Sequence, residues 1–303
     1  MTDQGPFDIT PHRGLYPFRS NFLDIKGLKY HYLDEGSGTP VVMLHGNPTW
    51  SFYFRKLVKD LGPEHRTIVP DHMGCGLSDR PTDRQYDFRL KSRIDDLEML
   101  LQHLGIKEKI TLILHDWGGA VGLGWAVRHP DQVGRLVILN TAGFFPPRAK
   151  GLPWRLWLIR NARAFAAPAV LRFNLFAAAA LFMASARGLT PEVKAGLIAP
   201  YNTPQNRLAT LRFVQDIPLK PGDPGYDLIE GISRNLDQFR DRPVLICWGG
   251  KDFVFDEWYF SEWRRRFPEA EAHLFPQAGH YVLEDEGQEI SRLVQNFLKR
   301  RPL

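Results

Sequence analysis

The sequence predicts an α/β fold, with a mostly parallel central sheet flanked by helices and a helical cap inserted late in the chain. Three observations carry this prediction. Short β-branched runs alternate with amphipathic helical stretches, the alternation lapses after Leu139 until Val244, and polar residues stand at the C-terminal ends of four of the runs.

The runs are Leu28 to Leu33, Val41 to Leu44, Thr67 to Val69, Ile110 to Leu114, Leu136 to Leu139, Val244 to Cys247 and Ala272 to Phe275. Between them, apolar residues recur at helical spacing. Ile94, Leu97, Leu100, Leu101 and Leu104 form one such stripe, with Asp95, Asp96 and Glu98 predicted on its wet face. From about Gly143 to Arg240 no comparable strand occurs. That stretch is helical and rich in Trp, Leu and Phe, as at Trp154 to Ile159 and Phe173 to Met183, so it can roof a pocket with hydrocarbon. The expected organisation is therefore a core in two parts, residues 1–142 and 241–303, around a cap at 143–240. Pro146-Pro147 at the entry and Pro218, Pro221 and Pro224 near the exit stiffen the passages.

Composition narrows the class. With 303 residues, 44% of them apolar and 24% charged, the chain is globular, and its length suits about two domains or one large α/β unit with an insertion. Cys75 and Cys247 have no CxxC spacing, which argues against a disulfide framework or thiolate zinc site and fits a cytoplasmic protein. Met1 to Pro11 carries Asp3 and Asp8 and lacks the hydrophobic part of a signal peptide. Phe173 to Ala186, closed by Arg172 and Arg187, is shorter than the ~20 residues of a membrane span and reads as one buried or interfacial helix. The overall charge of +5 is unevenly placed: between Arg148 and Lys220, eleven basic residues face only Glu192 and Asp216. These cations alternate with apolar residues rather than forming a block, so nucleic acid is not an expected partner. An acidic partner enzyme or peripheral contact with an anionic lipid surface is.

The chemistry centres on Ile113-Leu114-His115-Asp116-Trp117-Gly118-Gly119, an apolar strand that ends at an acid and is followed at once by small residues and the helix Ala120 to Val127. A strand-to-helix elbow would lift Asp116 above the sheet, and the glycines suit the crowding beside it. Alone, Asp116 reads equally well as a helix N-cap. Three further strand ends favour the nucleophile. His45-Gly46-Asn47-Pro48 occupies the place of an oxyanion loop, Trp248-Gly249-Gly250-Lys251-Asp252 supplies an acid, and Gln277-Ala278-Gly279-His280 supplies a general base that Asp252 can orient. Nucleophile, acid, histidine is the chain order of the α/β-hydrolase fold. Asn140 carries no prediction. His31, His72, His103 and His115 lack metal-ligand spacing and are assigned dry structural roles, no metal or cofactor is expected, and Asp71 to Asp79 reads as a scaffold loop.

An aspartate nucleophile implies an alkyl electrophile. A serine attacking saturated carbon would leave an ether, whereas Asp116 forms an alkyl ester that can be cleaved again. The Trp117 indole and the Asn47 amide are N–H donors able to hold an anion, halide or carboxylate, in a water-poor pocket, and their backbone N–H groups can serve an ester oxyanion. The expected ligand is a small apolar alkyl compound.

His45-Gly46-Asn47-Pro48-Thr49-Trp50, His115-Asp116-Trp117-Gly118-Gly119 and Gly279-His280 resemble the signature segments of the haloalkane-dehalogenase branch of the α/β-hydrolases. Leu114 stands where the general hydrolase pattern has glycine, a departure that dehalogenase-like members share. From about Tyr30 onward the chain is most similar to the β-lactone decarboxylases of bacterial long-chain olefin biosynthesis. The shared stretches are Val69 to His72, Ala199 to Asn202, Arg212 to Leu219 and His280 to Asp285. That resemblance implies conversion of a cis-3,4-dialkyl-oxetan-2-one to a cis-alkene and carbon dioxide, with Asp116 as nucleophile. Attack is open between the ring carbon bearing oxygen and the carbonyl, and a complex with other enzymes of the olefin pathway is a further expectation. Haloalkane hydrolysis is the second reading. Epoxide hydrolysis is third, since it activates the epoxide with cap tyrosines and the cap offers mainly Tyr201. A catalytically silent ligand-binding fold is the alternative of a different class.

Overall fold

The computed structural model describes residues 5–147 and 151–303. Asp3, Arg148 and Lys150, which entered the charge and N-terminal readings, lie outside the described residues. Eight strands form one sheet: β1 (Asn21–Ile25), β2 (Leu28–Glu35), β3 (Pro40–Leu44), β4 (Arg66–Pro70), β5 (Ile110–Asp116), β6 (Val133–Thr141), β7 (Val244–Gly249) and β8 (Glu271–Phe275). Their order is β1-β2-β4-β3-β5-β6-β7-β8, with β1 and β2 antiparallel and β3 to β8 parallel. β3, β5, β6 and β7 are buried along their whole length, which their continuous Val, Ile and Leu content requires in a sheet covered on both faces.

The helices are α1 (Arg55–Leu61), α2 (Leu90–His103), α3 (Trp117–Ala126), α4 (Trp154–Asn161), α5 (Arg163–Ala167), α6 (Leu175–Met183), α7 (Pro191–Ile198), α8 (Leu208–Gln215), α9 (Tyr226–Asn235), α10 (Glu257–Arg266), α11 (Val282–Asp285) and α12 (Gly287–Arg300). Two apolar cores, one on each face of the sheet, contain Leu112 and Leu114 on one side and Ile113 and Val137 on the other, as alternation along a strand dictates. After β3 the chain goes out to β4 and then crosses back to β5. The ends of β3 and β5 therefore diverge at a switch point, where a crevice opens above the sheet.

Each predicted run lies within a strand. β1 was not predicted, and three other expectations change. Asp96 is buried rather than wet, with 4% exposure, because Tyr86 folds over it and donates its hydroxyl at 2.6 Å. Burial pushes its carboxyl up to about 6. The folded protein thus holds this proton more tightly than the unfolded chain, and stability falls as pH rises from about 4 through 6. Asp96→Asn is expected to gain about 2 kcal/mol over the parent at pH 8 in urea unfolding, with the gain vanishing near pH 4; an equal difference at both pH values would contradict it. His103, expected in the dry interior, is exposed at the end of α2. The helix expected over Phe173 to Ala186 is present but shorter, at Leu175–Met183: Asn174 before it is left-handed, and α6 meets the preceding segment Ala164–Arg172 at 72°. No single helix among the described residues is long and apolar enough to cross a membrane.

Candidate active site

Asp116 ends β5 with φ +51° and ψ −125°, a conformation rare outside glycine, and α3 starts at the next residue. The elbow is held by its surroundings. The Thr141 hydroxyl donates to the Asp116 carbonyl, and a Cβ at Gly118 would run into the Leu44 carbonyl of β3. Asp116 stands at the N-cap position, yet its side chain does not make the usual N-cap bond to the second or third residue of the helix. Its Oδ1 instead accepts the Asn47 backbone N–H at 2.7 Å, and the Trp117 backbone N–H also serves the carboxylate. A side chain at Gly46 would collide with this carboxylate, so the β3 loop can approach only with glycine there.

Asp116 Oδ2 faces His280 Nε2 at 3.6 Å. On the far side of the ring, Nδ1 bonds Asp252 Oδ2 at 2.7 Å. The structure thus brings together the three strand ends that the sequence assigned to nucleophile, base and acid. Burial pushes the Asp116 carboxyl above its ordinary value, and the opposing His280 charge and the two N–H donors only partly offset this. Burial alone would lower His280, but the charge and hydrogen bond of Asp252, with Asp116 behind them, outweigh it and raise the imidazole above its ordinary value.

The alpha/beta hydrolase fold family matches residues 39–287. The chain is 50% identical to a cis-3-alkyl-4-alkyloxetan-2-one decarboxylase of Shewanella oneidensis, over 94% of this chain and 89% of that protein. It is 31% identical to a haloalkane dehalogenase of Mycolicibacterium paratuberculosis, over 93% of each. This chain belongs to the α/β-hydrolase fold family. In fold it is also similar to the crystal structure of a haloalkane dehalogenase from Bradyrhizobium elkani, with a TM-score of 0.83 at 23% identity, covering 93% of this chain and 98% of that one.

Within this hydrolase fold, three residues brace the triad without having been predicted to. Asn140, at the end of β6 with φ +36°, donates through its amide to Asp252 Oδ2 at 2.9 Å and to the Gly249 carbonyl at 3.1 Å, and accepts from Gly249 N–H. Asp252 Oδ1 accepts the Val254 N–H, so both carboxylate oxygens are fixed. His115 Nε2 lies 2.9 Å from the His280 carbonyl, and Gly279 N–H donates to Asp285. His45 and His72 bond each other's backbone under the Asn47 loop, which gives His72 the structural role expected of it. His31 pairs with Asp71, whose carboxylate also takes Ser51 and Leu77 N–H, in the expected scaffold loop.

Asn47 and Trp117 both line the cavity above Asp116. The Asn47 amide already donates to the Thr210 carbonyl of α8 at 3.0 Å, which leaves it one further N–H. The Trp117 indole N–H has no acceptor among the described residues. Tyr201, on which the epoxide reading leaned, is fully buried against Thr49 and does not line the cavity. The cavity measures about 1230 Å³, with α4, α6 and the residues after α8 forming its roof and mainly apolar side chains such as Trp157, Phe176 and Val214 lining it. It is larger than the ~300–1000 Å³ of ordinary small-molecule sites.

Proposed function

We propose that the protein decarboxylates a cis-3,4-dialkyl β-lactone to a cis-alkene and carbon dioxide, with Asp116 as nucleophile, His280 and Asp252 completing the triad, and residues 143–240 acting as a cap over the substrate. The observation that carries this reading is a buried carboxylate, pinned through one oxygen and opposed to an imidazole through the other, in the wall of a large, mainly hydrocarbon-lined cavity. The 50% identity to a decarboxylase of such lactones selects among the electrophiles that this carboxylate can attack.

In the favoured route Asp116 Oδ2 attacks the ring carbon bearing oxygen. The ring C–O bond breaks, an alkyl ester forms, and a β-carboxylate is released where the Asn47 amide and the Trp117 indole can hold it. Loss of carbon dioxide then breaks the C–C bond, its electron pair forms the alkene, and the ester C–O bond gives its pair back to Asp116. The carboxylate is regenerated, and neither water nor a net proton is consumed. Inversion in the first step followed by anti elimination in the second preserves the cis relation of the two alkyl chains. The alternative is attack at the carbonyl, which breaks the acyl C–O bond and gives an anhydride with a free β-oxyanion; that oxyanion must then take over the Asp116 acyl group, freeing the carboxylate, before carbon dioxide can be lost. The imidazole's proximity to both carboxylates suits it to balance charge as the ester forms and breaks. We place the protein in the cytoplasm, where its two buried free thiols, Cys75 and Cys247, would stay reduced.

The test is product analysis of the pure protein given, separately, a cis-dialkyl β-lactone and a bromoalkane. The expected result is cis-alkene and carbon dioxide from the lactone. A β-hydroxy acid from the lactone, or alcohol and bromide as the only products formed, would move the protein to the hydrolytic reading that its 31% identity to a dehalogenase represents.

A further inference from the structure

The outer face of the roof is unusual for a surface in water. Trp154, Trp157, Phe165, Phe173, Leu175 and Phe182 are all exposed there, Phe165 to 81% and Phe182 to 72%. They come from consecutive short helices, α4 to α6, and from the turn at Phe173. From Gly151 to Thr190 the sequence has five arginines and no acidic residue. Cations sit over the exposed rings: the Arg155 guanidinium 4.5 Å from Trp154, Arg172 5.9 Å from Phe173, and the Lys194 ammonium 4.5 Å from Phe182. Contiguous apolar surface of this kind marks an interaction site.

We infer that this face docks onto an anionic phospholipid bilayer, lying in the headgroup region with its rings directed into the acyl boundary. The shape and charge of the face select this occupant. Helices of eight and nine residues are only about 12–14 Å long, too short to span a bilayer of ~30 Å but suited to lie along its surface. The 72° bend at Phe173 and Asn174 keeps the two apolar segments from forming one span. Aromatic rings paired with cations match the interface, where rings sit at headgroup depth and positive charge meets anionic lipid. The face adjoins the site, since the exposed residues Trp154, Trp157 and Leu175 also line the cavity. An aliphatic guest can pass from the bilayer to Asp116 without crossing water. That delivery step rests on the proposed lactone chemistry, whereas the docking does not.

The experiment is co-sedimentation of the full chain, without substrate, with vesicles of phosphatidylcholine alone or with about one third phosphatidylglycerol. The parent should bind the anionic vesicles about tenfold more tightly than the neutral ones and lose that preference at high salt. Phe165→Ser/Phe173→Ser/Phe182→Ser, at three rings outside the cavity, should weaken binding by at least about tenfold while leaving turnover of a detergent-dispersed β-lactone unchanged. Arg172→Glu/Lys194→Glu should bind both vesicles alike. Absence of binding to either vesicle, or a triple variant that binds like the parent, overturns the proposal. So does a solution dimer that the triple variant abolishes, which would assign the face to a second copy of the chain. Binding of the parent to anionic vesicles, lost in the triple variant, with no lactone turnover by the parent supports the docking and refutes the proposed chemistry instead.

Discussion

Asp116→Ala is expected to lower alkene formation by about five to six orders of magnitude, to the rate of the free lactone. The residue is the only proposed point of covalent attachment, and alanine removes both the attacking oxygen and the leaving group of the second step. The fold should survive, since the carboxylate is a buried charge pushed toward its protonated form rather than a keystone of packing. Gas chromatography of the alkene against internal standard, with far-UV circular dichroism to verify folding, is the measurement. Substantial turnover by the folded variant would remove Asp116 from the mechanism, whichever electrophile is used.

Asp252→Ala is expected to cost about three to four orders of magnitude in kcat, in line with loss of the orienting acid from other triads. Two effects combine. The imidazole loses the 2.7 Å acceptor at Nδ1 that fixes its rotation, and it loses the attraction that holds its pKa above the ordinary value. The sign follows: with burial no longer outweighed, the His280 titration should move to lower pH in the variant. An imidazole titration by NMR in both proteins, beside kcat, separates this from a general loosening of the site. An unmoved titration with full activity would show Asp252 to be structural only.

The parts of the site that were legible in the sequence are those just beyond the C-terminal end of a strand's hydrophobic run. Asp116, Asn47, Asp252 and His280 stand two to five residues beyond the end of such a run, so their placement at one edge of the sheet is a consequence of parallel topology. What stayed hidden depends on tertiary neighbours. Asn140 follows a run in the same way, but only the neighbouring β7 reveals that its amide grips Asp252. Asp96 lies on the polar side of its helical stripe, and nothing local announces that Tyr86 covers it. β1 carries Asn21 and Asp24 on an edge strand that is mostly half-buried, so its pattern is too weak to read alone. The later start of α6, at Leu175, was hidden because Asn174 sits within an apolar stretch, and only its left-handed backbone marks the helix boundary.

Asp285 receives Gly279 N–H beside the base and, from the segment after α6, Ser185 hydroxyl and the N–H groups of Ala186 and Arg187. One carboxylate therefore ties the segment after α6 to the loop that carries His280. A displacement of the segment after α6 would pull on the loop that carries His280, so the register of the imidazole with Asp116 and Asp252 depends on a carboxylate that touches neither.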